Sequence, residues 1–192
     1  MNVYELEIAL LDIEPRIWRR VAVPADLTLA DLHRVIQMAM GWYDLHLHQF
    51  VAADGARYEA HNPEIDPDGP SSGVRDVRKV RLGDLLGSPG DALRYDYDFG
   101  DGWEHRVELI AVRPSVGGEQ LPRCLAGERA HPPEDCGGPW GYQELLEALA
   151  DPKHERHDEL TQWLDGYESV GFDPEAFDIE AGNERLRSSP AP

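Results

Sequence analysis

Cysteine is nearly absent: Cys124 and Cys136 are the only two in 192 residues, too few for a disulfide framework, so a reducing cytosol is the expected compartment. Long apolar runs are missing as well. No stretch approaches the ~18 apolar residues needed to cross a bilayer. The first residues, MNVYELEIALLDIE, place acids where a signal peptide would be basic. Positive charge is scarce, with 18 Lys and Arg against 37 Asp and Glu and a net charge of −19. Counter-ion release on phosphate needs the opposite balance, so direct nucleic-acid binding is not expected. The surplus is concentrated late in the chain, where residues 134–180 hold fourteen acids against Lys153 and Arg156. Hydrophobic residues still make up 41%, enough for a globular core without staples.

What is present reads first as an α+β fold. YELEIALLDIE and IWRRVAVP (17–24) alternate and flank Pro15, which predicts a hairpin turning near Glu14–Arg16. Thr28 is a good N-cap, Leu32, Val35, Ile36, Ala39 and Met40 recur at helical spacing, and Gly41 suits a helix end. LHLHQFVA (45–52) reads as a strand with His46, His48 and Phe50 on one face. This order predicts a β-grasp-like, mostly antiparallel sheet packed on a helix. HNPEIDPDGPSSGVRD (61–76) reads as a long loop, and 77–87 as a short strand and a helical turn. The stretch from Val116 to Tyr142 is too rich in Gly and Pro to predict regular structure. Helices are expected over 142–152, 153–167 and 172–187, the last begun at Asp173–Pro174. The expected organisation is a sheet core over 1–115, a loop and C-terminal helical extension over 116–187 on the same domain, and a frayed tail over 188–192.

YDYDFGDGWEHRVEL (95–109) is the densest stretch of aromatics and carboxylates. A three-residue turn, Gly100–Asp101–Gly102, pairs Phe99 with Trp103 and sorts the faces cleanly. Tyr95, Tyr97, Phe99, Trp103, His105 and Val107 fall on one side, with Asp96, Asp98, Glu104 and Arg106 on the other. In this register Asp96 and Asp98 are solvent-side strand residues and Asp101 is a turn former. His105 points to the core and needs a partner there.

PRCLAGERAHPPEDCGGPWGY (122–142) brings Cys124, His131 and Cys136 into one loop. Thiolates and imidazole suit zinc, with His48 or His105 as a further ligand, although the spacing is not that of a CxxC knuckle. The alternative is two inert buried thiols. The combination of GWxxxHLHxF, the 95–109 hairpin and PRCLAGERAHPPEDCGGPWGYQELLEALADPKHE resembles the plasmid pRiA4b ORF-3-like family from Tyr4 to about Phe177. Some members carry a resolvase-like, transposon-passenger label. The resemblance implies an α+β fold and a cytosolic bacterial origin, and transfers no activity. The family pattern often has cysteine at position 131, where histidine keeps a metal ligand but removes a disulfide partner. Recombinase chemistry does not fit, because Ser71 and Ser72 lie in an acidic Pro/Gly loop, Ser188 and Ser189 lie in the tail, no helix-turn-helix is legible and the net charge has the wrong sign.

Three functions fit the residues. The first is a binding or accessory module for a protein or small molecule, anchored by Trp140 and Tyr142 beside Glu134 and Asp135. The second is a zinc-type hydrolase between the 95–109 hairpin and the 124–136 loop, with Glu134 or Asp135 as general base. The third is a structural zinc or no site at all, with the acidic helices mimicking nucleic acid or docking a basic partner. The first is the leading expectation.

Overall fold

The computed structural model describes residues 2–60, 73–167 and 171–188. It begins with the expected hairpin, β1 (Asn2–Leu10) and β2 (Trp18–Pro24), joined over residues 11–17. The helix that follows, α1 (Leu29–Met40), has the start and stop that its sequence specifies. Thr28 accepts from Asp31 N–H while the Asp31 carboxylate accepts from Thr28 N–H, a reciprocal capping box, and Gly41 ends the helix at φ 102°. Thr28→Ala removes half of this box and is expected to cost about 1 kcal/mol in urea unfolding; an unchanged midpoint would show that the box contributes nothing.

Six further strands are β3 (His48–Val51), β4 (Arg57–Glu59), β5 (Val74–Asp76), β6 (Ala92–Tyr97), β7 (Trp103–Pro114) and β8 (Arg123–Glu128). Together they form an eight-stranded sheet in the order β5-β4-β3-β6-β7-β1-β2-β8, antiparallel except for β4 with β5. The α+β class and mostly antiparallel sheet match expectation. One face packs Leu6, Ile8, Val21, Tyr95, Tyr97, Trp103 and Val107 against the buried side of α1. Ion pairs hold polar side chains elsewhere on the sheet, such as Arg20 with Glu7 at 2.8 Å and Arg94 with Asp96 at 2.9 Å.

Several expectations change. β8 occupies part of the segment read as irregular. Its pairing with β2, where Val21 faces Cys124, outweighs the local Gly and Pro content. On its other side the Asn183 amide acts like a strand: its Oδ1 accepts from Cys124 N–H at 2.8 Å and its Nδ2 donates to Cys124 O at 3.1 Å. β5 lies within the segment read as loop, and 77–87 forms two 3₁₀ turns and an isolated bridge to Thr28. The other loop residues, 61–72, and the tail 189–192 lie outside the described residues.

Three helices complete the chain: α2 (Gly138–Ala150), α3 (His157–Tyr167) and α4 (Ile179–Ser188). α2 starts earlier than expected because Pro139 suits a first turn. α4 starts later, since the carboxylate that accepts its first N–H groups belongs to Asp178 rather than Asp173. Tyr142, Leu145 and Leu186 join the central core, which ties the C-terminal helices to the sheet.

Candidate functional site

Three loops meet at one end of this core. The first leaves α1 at Gly41, where a Cβ would lie 2.7 Å from the His131 ring. It then buries Trp42, whose indole stacks on Tyr97 with centroids 4.9 Å apart and donates to Pro132 O at 2.9 Å. The second is the β6–β7 turn, 98–102. The third runs from His131 into α2. Hydrogen bonds join them: Asp98 N–H donates to Leu47 O at 2.9 Å, and Gly137 N–H donates to Asp101 Oδ2 at 3.0 Å. Gly138 lets the third loop pass so close to Asp101 that no side chain would fit.

The hairpin register differs from the expected one. Tyr97 pairs with Trp103 and Tyr95 with His105, so the turn has five residues rather than three. Asp98 causes this. At φ 54° it leaves the strand, and its Oδ1 accepts from Gly100 N–H at 2.9 Å. Because the shift is two residues, the faces of Tyr95, Tyr97, Trp103 and His105 are unchanged. Phe99, however, moves from the core face to an exposed turn, and Asp98 is buried rather than solvent-side. Asp96 stays on the polar face but is covered there by Arg94 and Gln49.

Four polar side chains converge where the loops meet. His46 Nε2 lies 3.1 Å from Asp135 Oδ1, 3.5 Å from Asp98 Oδ2 and 3.7 Å from Glu134 Oε2. None of these contacts is aligned as a hydrogen bond, although the nitrogen is sealed from solvent. Glu134 is 1% exposed, and its Oε1 accepts from Tyr43 N–H at 3.0 Å and Tyr97 O–H at 2.9 Å. Burial pushes its carboxyl above the usual carboxylate range, against the pull of those two bonds. Tyr97 is itself held protonated by burial and by this carboxylate.

A second group, His33, Asp44 and His48, lies on the other side of the 41–47 loop. The two imidazoles stack at 3.5 Å and 8°. Gln37 donates to Tyr95 Oη at 3.0 Å, so the tyrosine proton goes to His33 Nδ1 at 2.8 Å, and His33 Nε2–H then donates to Asp44 Oδ1 at 2.8 Å. That bond holds the Asp44 carboxyl below its ordinary range. Burial, then the neighbouring His33, depresses His48 to about 3. Parallel rings aim their lone pairs along parallel planes. This favours a hydrogen-bonded relay over an ion shared by both histidines.

The residues singled out from sequence fall in different places. His105 reaches the core as expected, edge-on to Trp42 and 3.2 Å from Tyr95 O, with burial lowering it to about 3. His131 wedges against Gly41 and is also lowered to about 3, by burial and then by Arg19 and Arg185. Cys124 is buried on β8, and burial raises its thiol; Cys136 is raised to about 12 for the same reason. Two groups bring ligand atoms within 4.8 Å among the described residues. Neither contains Cys124, His131, Cys136 or His105, and His48 belongs to the stacked group. Trp140 is 84% exposed, whereas Tyr142 is a core residue, so of the two expected anchors only Trp140 presents its ring to solvent. Glu134 and Asp135 do meet at the loop junction. The residues overlooked are His46 and Asp98. Their partial signal is turn chemistry: Asp44, Asp98 and Asp135 all have left-handed φ, in YDL, DFGDG and EDCGG.

The chain as a whole is similar to known proteins. A family model described as plasmid pRiA4b ORF-3-like protein matches residues 2–181. The uncharacterized protein y4hQ of Sinorhizobium fredii is 44% identical over 163 residues, covering 84% of this chain and 80% of that protein. The crystal structure of MM3350 from Methanosarcina mazei, a protein of unknown function, superposes with a TM-score of 0.81 at 38% identity. That match covers 93% of this chain and 96% of the other.

Proposed function

The chain belongs to the plasmid pRiA4b ORF-3-like family, and from that premise we propose that it is a binding module which receives its ligand at the junction of loops 42–47, 98–102 and 132–140. The family name carries no reaction, so the reading rests on the site. One observation carries it. Tyr43, Leu45, Leu47, Phe99 and Trp140 are all large apolar side chains at least half exposed; the first four stand on loops that build the acidic centre and Trp140 in the first turn of α2, directly after the third loop. Elsewhere among the described residues only Val116 is a large apolar side chain at least half exposed, with Val112 at 39%. Apolar surface gathered around a few convergent polar groups is how ligand sites are built. Trp140 also lines a separate cleft of about 730 Å³ with Ile13, Arg16 and Pro139, which opens on the β1–β2 connection rather than on the acidic centre. The two free cysteines and an accessory role in a reducing compartment are compatible with this reading.

Ligand-observed NMR with a library of small aromatic carboxylates and amines tests it. Fragments that bind the protein should lose their signal with Trp140→Ala or Phe99→Ala and keep it with Val116→Ala. Truncating an aromatic anchor typically weakens binding by roughly thirtyfold or more. Equal binding to all three variants would place the site elsewhere.

A second reading, hydrolysis, is favoured by Glu134, a buried carboxyl with raised proton affinity beside the acidic centre. It requires turnover of ester or phosphoester substrates that Glu134→Gln lowers by about a hundredfold. No turnover by wild type with added Mn²⁺ or Zn²⁺ would remove it.

A further inference from the structure

We propose that His46, Asp98 and Asp135 bind a divalent transition-metal cation, with Glu134 completing the acidic wall behind it. This deepens the binding reading by naming one ligand of the same loop junction.

The donor set is the first reason. One imidazole nitrogen and carboxylate oxygens, without a thiolate, suit zinc, manganese, cobalt or ferrous ions. Spacing is the second. Donor atoms around one ion at bond lengths near 2.0–2.2 Å stand about 3.0–3.6 Å apart. The carboxylate oxygens facing His46 Nε2 lie at 3.1, 3.5 and 3.7 Å, so small rotations would close the shell.

The third reason comes from the imidazole. Its Nε2 is sealed from water and has no aligned hydrogen-bond partner, although three carboxylates surround it. A neutral ring with its lone pair here faces only acceptors, and a protonated nitrogen here has no straight bond to make. A cation between nitrogen and oxygens satisfies both sides at once.

The carboxylates are also held for this purpose. Asp98 uses Oδ1 for Gly100 N–H at 2.9 Å and Asp101 N–H at 3.3 Å, leaving Oδ2 toward His46. Glu134 uses Oε1 for Tyr43 N–H and Tyr97 O–H, and its Oε2 faces the imidazole. Fixing one oxygen of a carboxylate to orient the other is how second-layer hydrogen bonds prepare metal ligands. Asp135, with 64% of its side chain exposed, lies on the open side, where water or an incoming ligand would complete the coordination.

The test uses full-length protein without a histidine tag, stripped with chelator and titrated with Mn²⁺ and Zn²⁺ by calorimetry. Co²⁺ absorption serves as a probe of the ligand field. One equivalent should bind, and His46→Gln and Asp98→Asn should each weaken binding roughly ten- to hundredfold. Asn tolerates the left-handed backbone at 98, so Asp98→Asn should keep its circular dichroism and unfolding midpoint. Asp44→Asn, in the stacked-histidine group, should bind as wild type does. Absence of a stoichiometric ion, undiminished binding in Asp98→Asn, or loss with Asp44→Asn instead would each overturn the assignment. Trp140→Ala keeps the two readings apart. Metal binding that survives it supports the cation site; fragments that still need Trp140 in a protein without metal leave the binding module standing alone.

Discussion

Acidification from pH 7 to pH 5 is expected to destabilise the fold by roughly 2 kcal/mol through His105 alone. The ring is fully buried and its pKa is depressed to about 3, whereas in the unfolded chain it should titrate near the ordinary imidazole value of 6.5. Between those values the unfolded state takes up a proton that the folded state refuses. The contribution of neutral His105 is therefore intact above about pH 6.5 and is lost steadily as pH falls toward about 3. His131 and His48 act in the same direction, His131 by less than its shift suggests because it keeps some solvent contact. Glu134 opposes them, since an acid with a raised pKa favours the folded state as it becomes protonated. Asp44 and Glu119, with lowered values, add further losses only at lower pH, near the ordinary carboxylate range. Urea unfolding at pH 7, 6 and 5 measures the slope. His105→Phe should flatten it by about one proton while losing the contact with Tyr95 O. The same slope in that variant would show that the acid sensitivity arises elsewhere.

Gly138→Ala is the second change with a large expected effect. Gly138 sits at φ 69°, and a Cβ there would come 2.1 Å from Asp101 O. The left-handed backbone costs an alanine about 1 kcal/mol. The overlap with main chain adds roughly 1–3 kcal/mol and cannot be relieved by a side-chain rotation. The melting temperature should fall by about 5–15 °C in a chain of this size. The displacement has a direction. It parts the 98–102 turn from the 132–140 loop, so ligand and metal affinity should fall along with stability. Gly90→Ala is the control: φ 98° with open space within 4 Å. It should show the strain without the separation. Equal losses in the two variants would mean that close approach at Gly138 is unimportant.

Much of the fold was legible because local chemistry and tertiary structure agree. Thr28, Asp31 and Gly41 write the ends of α1, and the alternation of β1 and β2 writes the first hairpin. β8 was hidden, since its pairing with β2 and its cover by Asn183 come from distant residues. The site was half legible. His105 was assigned correctly to the core face because a shift of two residues preserves facing. Asp98 was misread because its side chain, rather than its place in the alternation, decides where β6 ends. His46 was read as a strand residue although β3 begins at His48. Its significance depends on Asp98 and on Asp135, nearly ninety residues away, and neither composition nor period carries that information. Glu134 and Asp135 are candidates from the loop sequence alone, as a general base or as binding residues, and only the geometry sets them beside His46.

The amide of Asn183 on Cys124 also bears on how copies of this chain behave in concentrated solution. An outermost strand normally leaves its main chain able to recruit another molecule by strand addition. At the β8 margin the Asn183 carboxamide takes up both main-chain groups of Cys124. The last helix therefore acts as a stopper for the sheet. Self-assembly through that margin would first have to dislodge α4, together with the bond from Arg185 to Met38 O that anchors it to α1.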